Sequence, residues 1–205
     1  YAQVGAVDLV AAYLLALKLI TQIREISMAP FYSKIPLLTR LRVEGNLELL
    51  KQKAQKGMFL GHMVFVIGVI LISLFSEDLL NAINSNVDFV SNEFWLLLSV
   101  AFFIHRYGAM HMQLYLTTNH VISHISDGVS GLIFIVTVFL TINIFDIYAI
   151  PIAMIIAYLG FYSWYAAYYS YKSLCLSFFK FEMKTTIVPL TIFILFTILN
   201  FFYNK

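Results

Sequence analysis

The chain has 205 residues, of which 61% are hydrophobic and only 12% charged, with a net charge of +2. A soluble domain carries about 25% charged residues, so there is too little polar surface here to cover a water-soluble globule. The single cysteine, Cys175, excludes an internal disulfide and a cysteine-based metal cluster, and no nucleic-acid partner is expected. The composition predicts an integral membrane protein whose contacts are with the lipid bilayer, and the placement of the charges then matters more than their sum.

The opening residues, Tyr1-Ala2-Gln3-Val4-Gly5, have no initiator Met and no basic n-region. They are expected to belong to a piece of a longer chain rather than to a signal peptide. The first predicted span covers about residues 4–28. Asp8, Lys18, Gln22, Arg24 and Glu25 interrupt it. Lys18, Gln22 and Glu25 fall within roughly 60° of helix face, with Asp8 near it, as a polar wall would. Arg24 and Glu25, close to the end of the span, also suit the headgroup region.

Pro30 and Pro36 predict the end of that helix. Residues 34–56 follow, with Lys34, Arg40, Arg42, Lys51, Lys53 and Lys56. This is the most basic loop, so the positive-inside rule places it in the cytoplasm. Within it Leu47, Leu49 and Leu50 predict a short amphipathic helix, opened by the Glu44-Gly45-Asn46 turn. The second span is about residues 58–75. His62 near its start reads as a packed or interfacial histidine. Gly61 and Gly68, seven apart on one face, predict a close helix crossing. The next loop holds Glu77, Asp78, Asp88 and Glu93 without a Lys or Arg, which fits the outside.

The third predicted span, about residues 94–125, organises the rest. Arg106, Gln113, Thr117, His120, His124 and Asp127 step by intervals of three, four and seven. On one continuous helix they would share a wedge of roughly 80°. Polar groups at membrane depth are costly and face a bundle interior or a wet cavity, so the wedge reads as a cavity seam. The helix is expected to turn at Asp127-Gly128. The fourth span, about residues 129–145, has no charge. Pro151 suits the first turn of the fifth, about residues 152–171. That span carries Tyr158, Tyr162, Trp164, Tyr165, Tyr168, Tyr169 and Tyr171, which read as an interfacial belt. Lys172, Lys180 and Lys184 make another cytoplasmic loop, and the sixth span is about residues 185–203. The expected fold is thus all-α, one polytopic helix bundle whose loops alternate between inside and outside.

There is no P-loop, dinucleotide fingerprint or nucleophile elbow, and no catalytic constellation, so no enzyme and no cofactor are expected. His120 and His124 have the i, i+4 spacing of zinc ligands, but a third ligand is missing and no metal is expected. They read instead as hydrogen-bonded cavity residues able to titrate near neutrality. Asp8, Lys18, Arg106, Gln113, Thr117, His120 and His124 are the expected cavity lining. Lys18 and Arg106 would supply positive charge to an anionic cargo.

Two stretches carry a resemblance. Ala29-Pro30-Phe31-Tyr32-Ser33-Lys34-Ile35-Pro36 with Leu38, Leu41 and Glu44-Gly45-Asn46 resembles the segment after the eighth helix of bacterial polysaccharide (O-antigen type) flippases. His105-Arg106-Tyr107-Gly108 through Gln113-Leu114-Tyr115 to Thr118-Asn119-His120 resembles their tenth helix. The family belongs to the superfamily of the multidrug and toxin extrusion transporters. The resemblance implies the second lobe of a two-lobe, alternating-access carrier in the bacterial cytoplasmic membrane. Its cargo would be a lipid-linked oligosaccharide, its coupling ion H+ or Na+, and its partner the missing first lobe of the same protein. A multidrug-type exporter and a membrane glycan polymerase or ligase are the alternatives. The second needs a large outer catalytic loop with Arg or His, and the loop at 76–93 has neither.

Overall fold

A computed structural model describes residues 7–82, 84 and 88–203, with side chains over 10–82, 84 and 88–200. The chain is all-helical, with no strand among these residues. Its elements are α1 (Val7–Tyr32), α2 (Ile35–Val43), α3 (Leu47–Ala82), α4 (Asn92–Leu116), α5 (Ser123–Phe145), α6 (Ala149–Ala157), α7 (Ser163–Leu174), α8 (Phe178–Glu182) and α9 (Ile187–Tyr203). A wide π-turn, Tyr158–Tyr162, joins α6 to α7 in one rod.

Three boundaries differ from the sequence expectation. First, α1 runs through Pro30 and stops at Tyr32; a proline so near the end removes little of the remaining hydrogen-bond ladder. Second, Leu47 to Leu50 form no separate short helix. They open α3, a single rod of 36 residues. The turn before it is as expected: Gly45 has φ +73°, a conformation that favours glycine, and the Asn46 side chain accepts the Leu49 N–H at 3.3 Å as a cap. Third, α4 does not continue to residue 125. It ends at Leu116, and Thr117 turns its hydroxyl back to donate to the Leu114 carbonyl at 2.7 Å. Asn119 follows with φ +64°. Two threonines and an asparagine are poor helix formers whose side chains compete for backbone groups. Gly128 and Gly131 accordingly lie inside α5 rather than in a turn.

At the centre α4 is buried on all sides, and its N-terminus is capped by the Ser91 hydroxyl accepting the Phe94 N–H. It packs on α1, α3, α6 and α7. Small residues set the crossings, as the spacing of Gly61 and Gly68 predicts. A Cβ on Gly61 would stand 2.9 Å from the Ser27 carbonyl oxygen, and one on Gly68 2.8 Å from Ile23 Cγ2. Gly108 is tighter still, with Ser163 Cα at 2.8 Å and Tyr162 Cδ1 at 2.7 Å.

Polar clasps close the two ends. At one end Arg42 of α2 donates from Nε to Thr117 Oγ1 at 2.7 Å and from Nη1 to the Ser173 carbonyl at 3.3 Å. This gathers the segments after α1, α4 and α7. At the other end Ser73 donates to Asn92 Oδ1 at 3.0 Å, Asn200 donates to Ser73 Oγ at 3.2 Å, and Ser91 meets Tyr148 at 2.8 Å.

Two helical stretches, Leu47–Ala82 and Ser123–Leu174, are long and apolar enough to cross a membrane. The pattern on α5 is inside-out for a protein in water: its buried residues are Ser126 and Ser130. Its large apolar side chains are open, with Phe139 at 77% and Ile144 at 73% exposure. Small residues inward and large apolar residues outward is how a helix packs when lipid is the solvent.

Candidate functional site

Two apolar clusters fill the bundle. One gathers Met28, Phe31, Met58, Met110 and Leu114, the other Ile20, Phe65, Val66, Leu98 and Phe103. Among them are buried polar side chains: Ser27 on α1, His62 on α3, Arg106 and His111 on α4, Ser170 on α7, and Glu182, Thr185 and Thr186 around the α8–α9 turn.

They form one hydrogen-bonded chain. Arg106 is fully buried. Its Nη2 donates to the Ser27 carbonyl at 3.4 Å and its Nη1 faces His62 Nδ1 at 3.5 Å. The guanidinium lies over the Phe65 ring, 4.6 Å from the centroid, and its Nε has no partner among the described residues. An arginine can only donate, so His62 Nδ1 accepts and its Nε2 carries the proton. That proton points to Thr186 Oγ1 at 3.4 Å. Thr186 meets Thr185 at 3.2 Å, and Thr185 donates to Glu182 Oε2 at 2.8 Å. Donors can thus be ordered from Arg106 Nη1 to the carboxylate, with the Thr185 hydroxyl also within 3.2 Å of the Phe181 carbonyl, and the two links at His62 are longer than the usual range of about 2.7–3.2 Å.

Glu182 collects donors from three elements. Its Oε1 accepts from the Tyr171 hydroxyl and faces His111 Nε2 at 3.2 Å. Tyr171 in turn receives Tyr107 at 2.8 Å, and His111 Nδ1 faces Ser170 Oγ at 3.1 Å. Glu182 is the last residue of α8, outside the predicted spans. Burial pushes its pKa up, but the hydrogen bonds and charge of His111, with the hydroxyls around it, outweigh burial and hold it below the usual glutamate value. The chain thus has a guanidinium at one end, a carboxylate at the other, and neutral groups between that can each pass a proton to the next. Bringing each charge into an apolar interior costs several kcal/mol, which such donors and the aromatic face offset in part.

Ser170, His111 and Glu182 have the connectivity of a nucleophile, base and acid. Ser170 and His111 are sealed at 0% exposure, so no substrate atom reaches the hydroxyl.

The six expected cavity residues whose side chains are described do not meet in one cavity. Arg106 is interior and its Nη groups are engaged by this chain's own atoms, so it offers no charge to a cargo. Gly61 brings α1 and α3 close enough to shut it in. Lys18 is exposed, as are Gln22 and Glu25, so their stripe points away from the bundle rather than toward α4. Gln113 is half-buried, and Thr117 is buried under Arg42. His120 lies in the loop after α4, its Nδ1 donating to the Thr118 carbonyl at 3.1 Å, and His124 is exposed in the first turn of α5. Asp127 lines a cleft of about 340 Å³ with Tyr13, His105, Phe134, Tyr158 and Tyr162. The side chain of Asp8 lies outside the described residues. The wedge dissolves because its angular arithmetic holds only while the helix continues, and the helix stops at Leu116.

Sequence reasoning missed His111, Ser170, Glu182, Thr185 and Thr186 and read Tyr171 only as part of a belt, while the reading of His62 as a packed histidine agrees with its full burial. One signal was available: His62 is the lone titratable group in an otherwise apolar span. Glu182 gave none, since a glutamate between Lys180 and Lys184 reads as solvated. No protein-family model matches the chain, nor does any curated protein or solved structure.

Proposed function

We propose that this chain is a helical lobe of a membrane carrier, and that the chain of side chains from Arg106 to Glu182 couples its motion to a proton. One observation carries the reading: an uninterrupted file of buried donors and acceptors, charged at both ends, inside a bundle whose outside is apolar. Ionisable groups inside membrane spans, as Arg106 and His62 are in this reading, mark pathways and relays rather than stable packing. Protonating Glu182 would weaken the bonds from Tyr171, Thr185 and His111 together. Those bonds tie the α8–α9 turn to α4 and α7, so one proton acts on a packed, two-state contact.

The cargo in this reading is a lipid-linked oligosaccharide moved across the bacterial cytoplasmic membrane, from the resemblance of residues 29–46 and 105–120 to the polysaccharide flippases. The protein is a carrier, without a bond-breaking step. The stripe of Lys18, Gln22 and Glu25 supports a partner lobe, because polar groups on the outer face of an apolar rod are costly against lipid. That lobe would make them one wall of a shared wet cavity. Flipping of a fluorescent lipid-linked oligosaccharide in proteoliposomes is the test. A rate that is the same with and without the protein removes the proposal.

A second reading is favoured by the cleft at Asp127. Four aromatic rings, an imidazole and one carboxylate suit an organic cation, as a multidrug-type exporter would take. Competition between a quaternary ammonium dye and the oligosaccharide lipid separates the two.

A further inference from the structure

The end of the bundle closed by Arg42 holds a second feature. A cleft of about 350 Å³ opens there between α2, α4 and α7, lined by Arg42, Tyr115, Thr118, His120, Tyr169 and Lys172. Its charged lining is basic throughout, with no carboxylate. The acid nearest Arg42 in sequence, Glu44, is engaged by Arg40 at 3.3 Å. Arg42 is instead held by neutral oxygens, with Nε on Thr117 Oγ1, Nη1 on the Ser173 carbonyl and Nη2 on Ser173 Oγ at 3.4 Å. These use three of the five guanidinium N–H groups and leave two for a ligand. Half-buried and without an ion-pair partner among the described residues, the guanidinium is fixed in place with its charge uncompensated. Burial draws its pKa down, as an unneutralised cation requires.

The neighbours complete the chemistry. His120 donates from Nδ1 to the Thr118 carbonyl, so it can donate to an anion in the cleft from Nε2 only as the imidazolium, in which both ring nitrogens carry a proton. The Lys172 ammonium is exposed, its one ring contact being Tyr168 at 6.0 Å. Tyr115 and Tyr169 pack with ring centroids 5.2 Å apart and both line the cleft. A planar fork, an exposed ammonium, an imidazolium and a phenol at the rim are what a tetrahedral oxyanion with several oxygens needs.

We propose that this cleft binds a phosphoryl group, supplied either by free diphosphate or by the phosphate of an anionic lipid headgroup. The site is independent of the transport reading, since the cleft takes or refuses the anion whether or not the chain moves a cargo.

The test uses the purified chain in neutral detergent, titrated with inorganic diphosphate by calorimetry at about 150 mM salt, where long-range attraction between exposed charges is largely screened. In parallel, lipid retention is read by native mass spectrometry from nanodiscs of phosphatidylcholine with and without phosphatidylglycerol. Saturable diphosphate binding supports the site with a soluble ligand. Selective retention of phosphatidylglycerol supports it with a lipid. In either arm Lys172→Ala and His120→Ala each weaken binding about tenfold, the loss of one charge-assisted hydrogen bond, and leave the melting temperature unchanged. Arg42→Gln abolishes binding; should that variant fail to fold, Lys172→Ala and His120→Ala still decide. Absence of binding in both arms, or binding indifferent to Lys172 and His120, overturns the proposal.

Discussion

Replacing Glu182 with Gln keeps the shape of the side chain and removes its charge. In the native chain the carboxylate accepts from Tyr171 and Thr185 and faces His111, with 2% of the residue exposed. A hydrogen bond to a charged group contributes about 1.5–3 kcal/mol and a neutral one about 1 kcal/mol. Losing the charge on two or three bonds therefore costs about 2–3 kcal/mol. For a chain of this size 1 kcal/mol moves Tm by about 2–4 °C, so Glu182→Gln melts roughly 4–12 °C lower at pH 7. Intrinsic fluorescence in detergent follows the transition. The pH dependence has a definite sign. The folded-state pKa of Glu182 lies below its ordinary 4.5, so its contribution is complete above pH 4.5 and fades as pH falls through the lower, folded-state value. The gap between the two proteins should be full at pH 6 and narrow below pH 4.5. Equal melting at pH 7, or a gap unchanged in acid, would refute the assignment of Glu182 as a buried, ionised acceptor.

The remaining predictions concern packing, the turn and lipid. Gly108→Ala places a Cβ 2.8 Å from the Ser163 backbone and should cost about 1–3 kcal/mol. Gly131→Ala, with nothing within 4 Å, should be neutral or stabilising by up to about 1 kcal/mol, and the two melts read side by side check the crossing. Asn119→Val puts a β-branched residue at φ +64° and should lower stability by at least about 1–2 kcal/mol, whereas Asn119→Gly should be tolerated. Spin labels at Phe139 and Leu140, both among the most exposed residues of α5, should relax faster with oxygen than with a water-soluble nickel chelate in bilayers. The reverse order would remove lipid from the account of α5.

What was legible in the sequence followed from local rules. Helices under the apolar runs, the Gly45 turn and the crossings at Gly61 and Gly68 depend on neighbours in sequence or one helix face. The polar chain was not, because its partners are far apart in sequence: His62 and Thr186 by 124 residues, His111 and Glu182 by 71. Angular spacing on one helix cannot report a pairing made between helices. It also misled at Thr117–Thr118–Asn119, where propensity argued for a break and the regular 3–4 rhythm of polar residues argued against one.

The central claim is tested most directly by flipping of a fluorescent lipid-linked oligosaccharide in proteoliposomes of the full-length gene product, with and without an imposed pH gradient. The wild-type protein should flip the lipid at a rate that responds to the gradient. Glu182→Gln, inserted and folded, should fall to the background rate and lose that response. A Glu182→Gln variant that flips at the wild-type rate and follows the gradient equally would contradict the account, since the buried chain would then carry nothing.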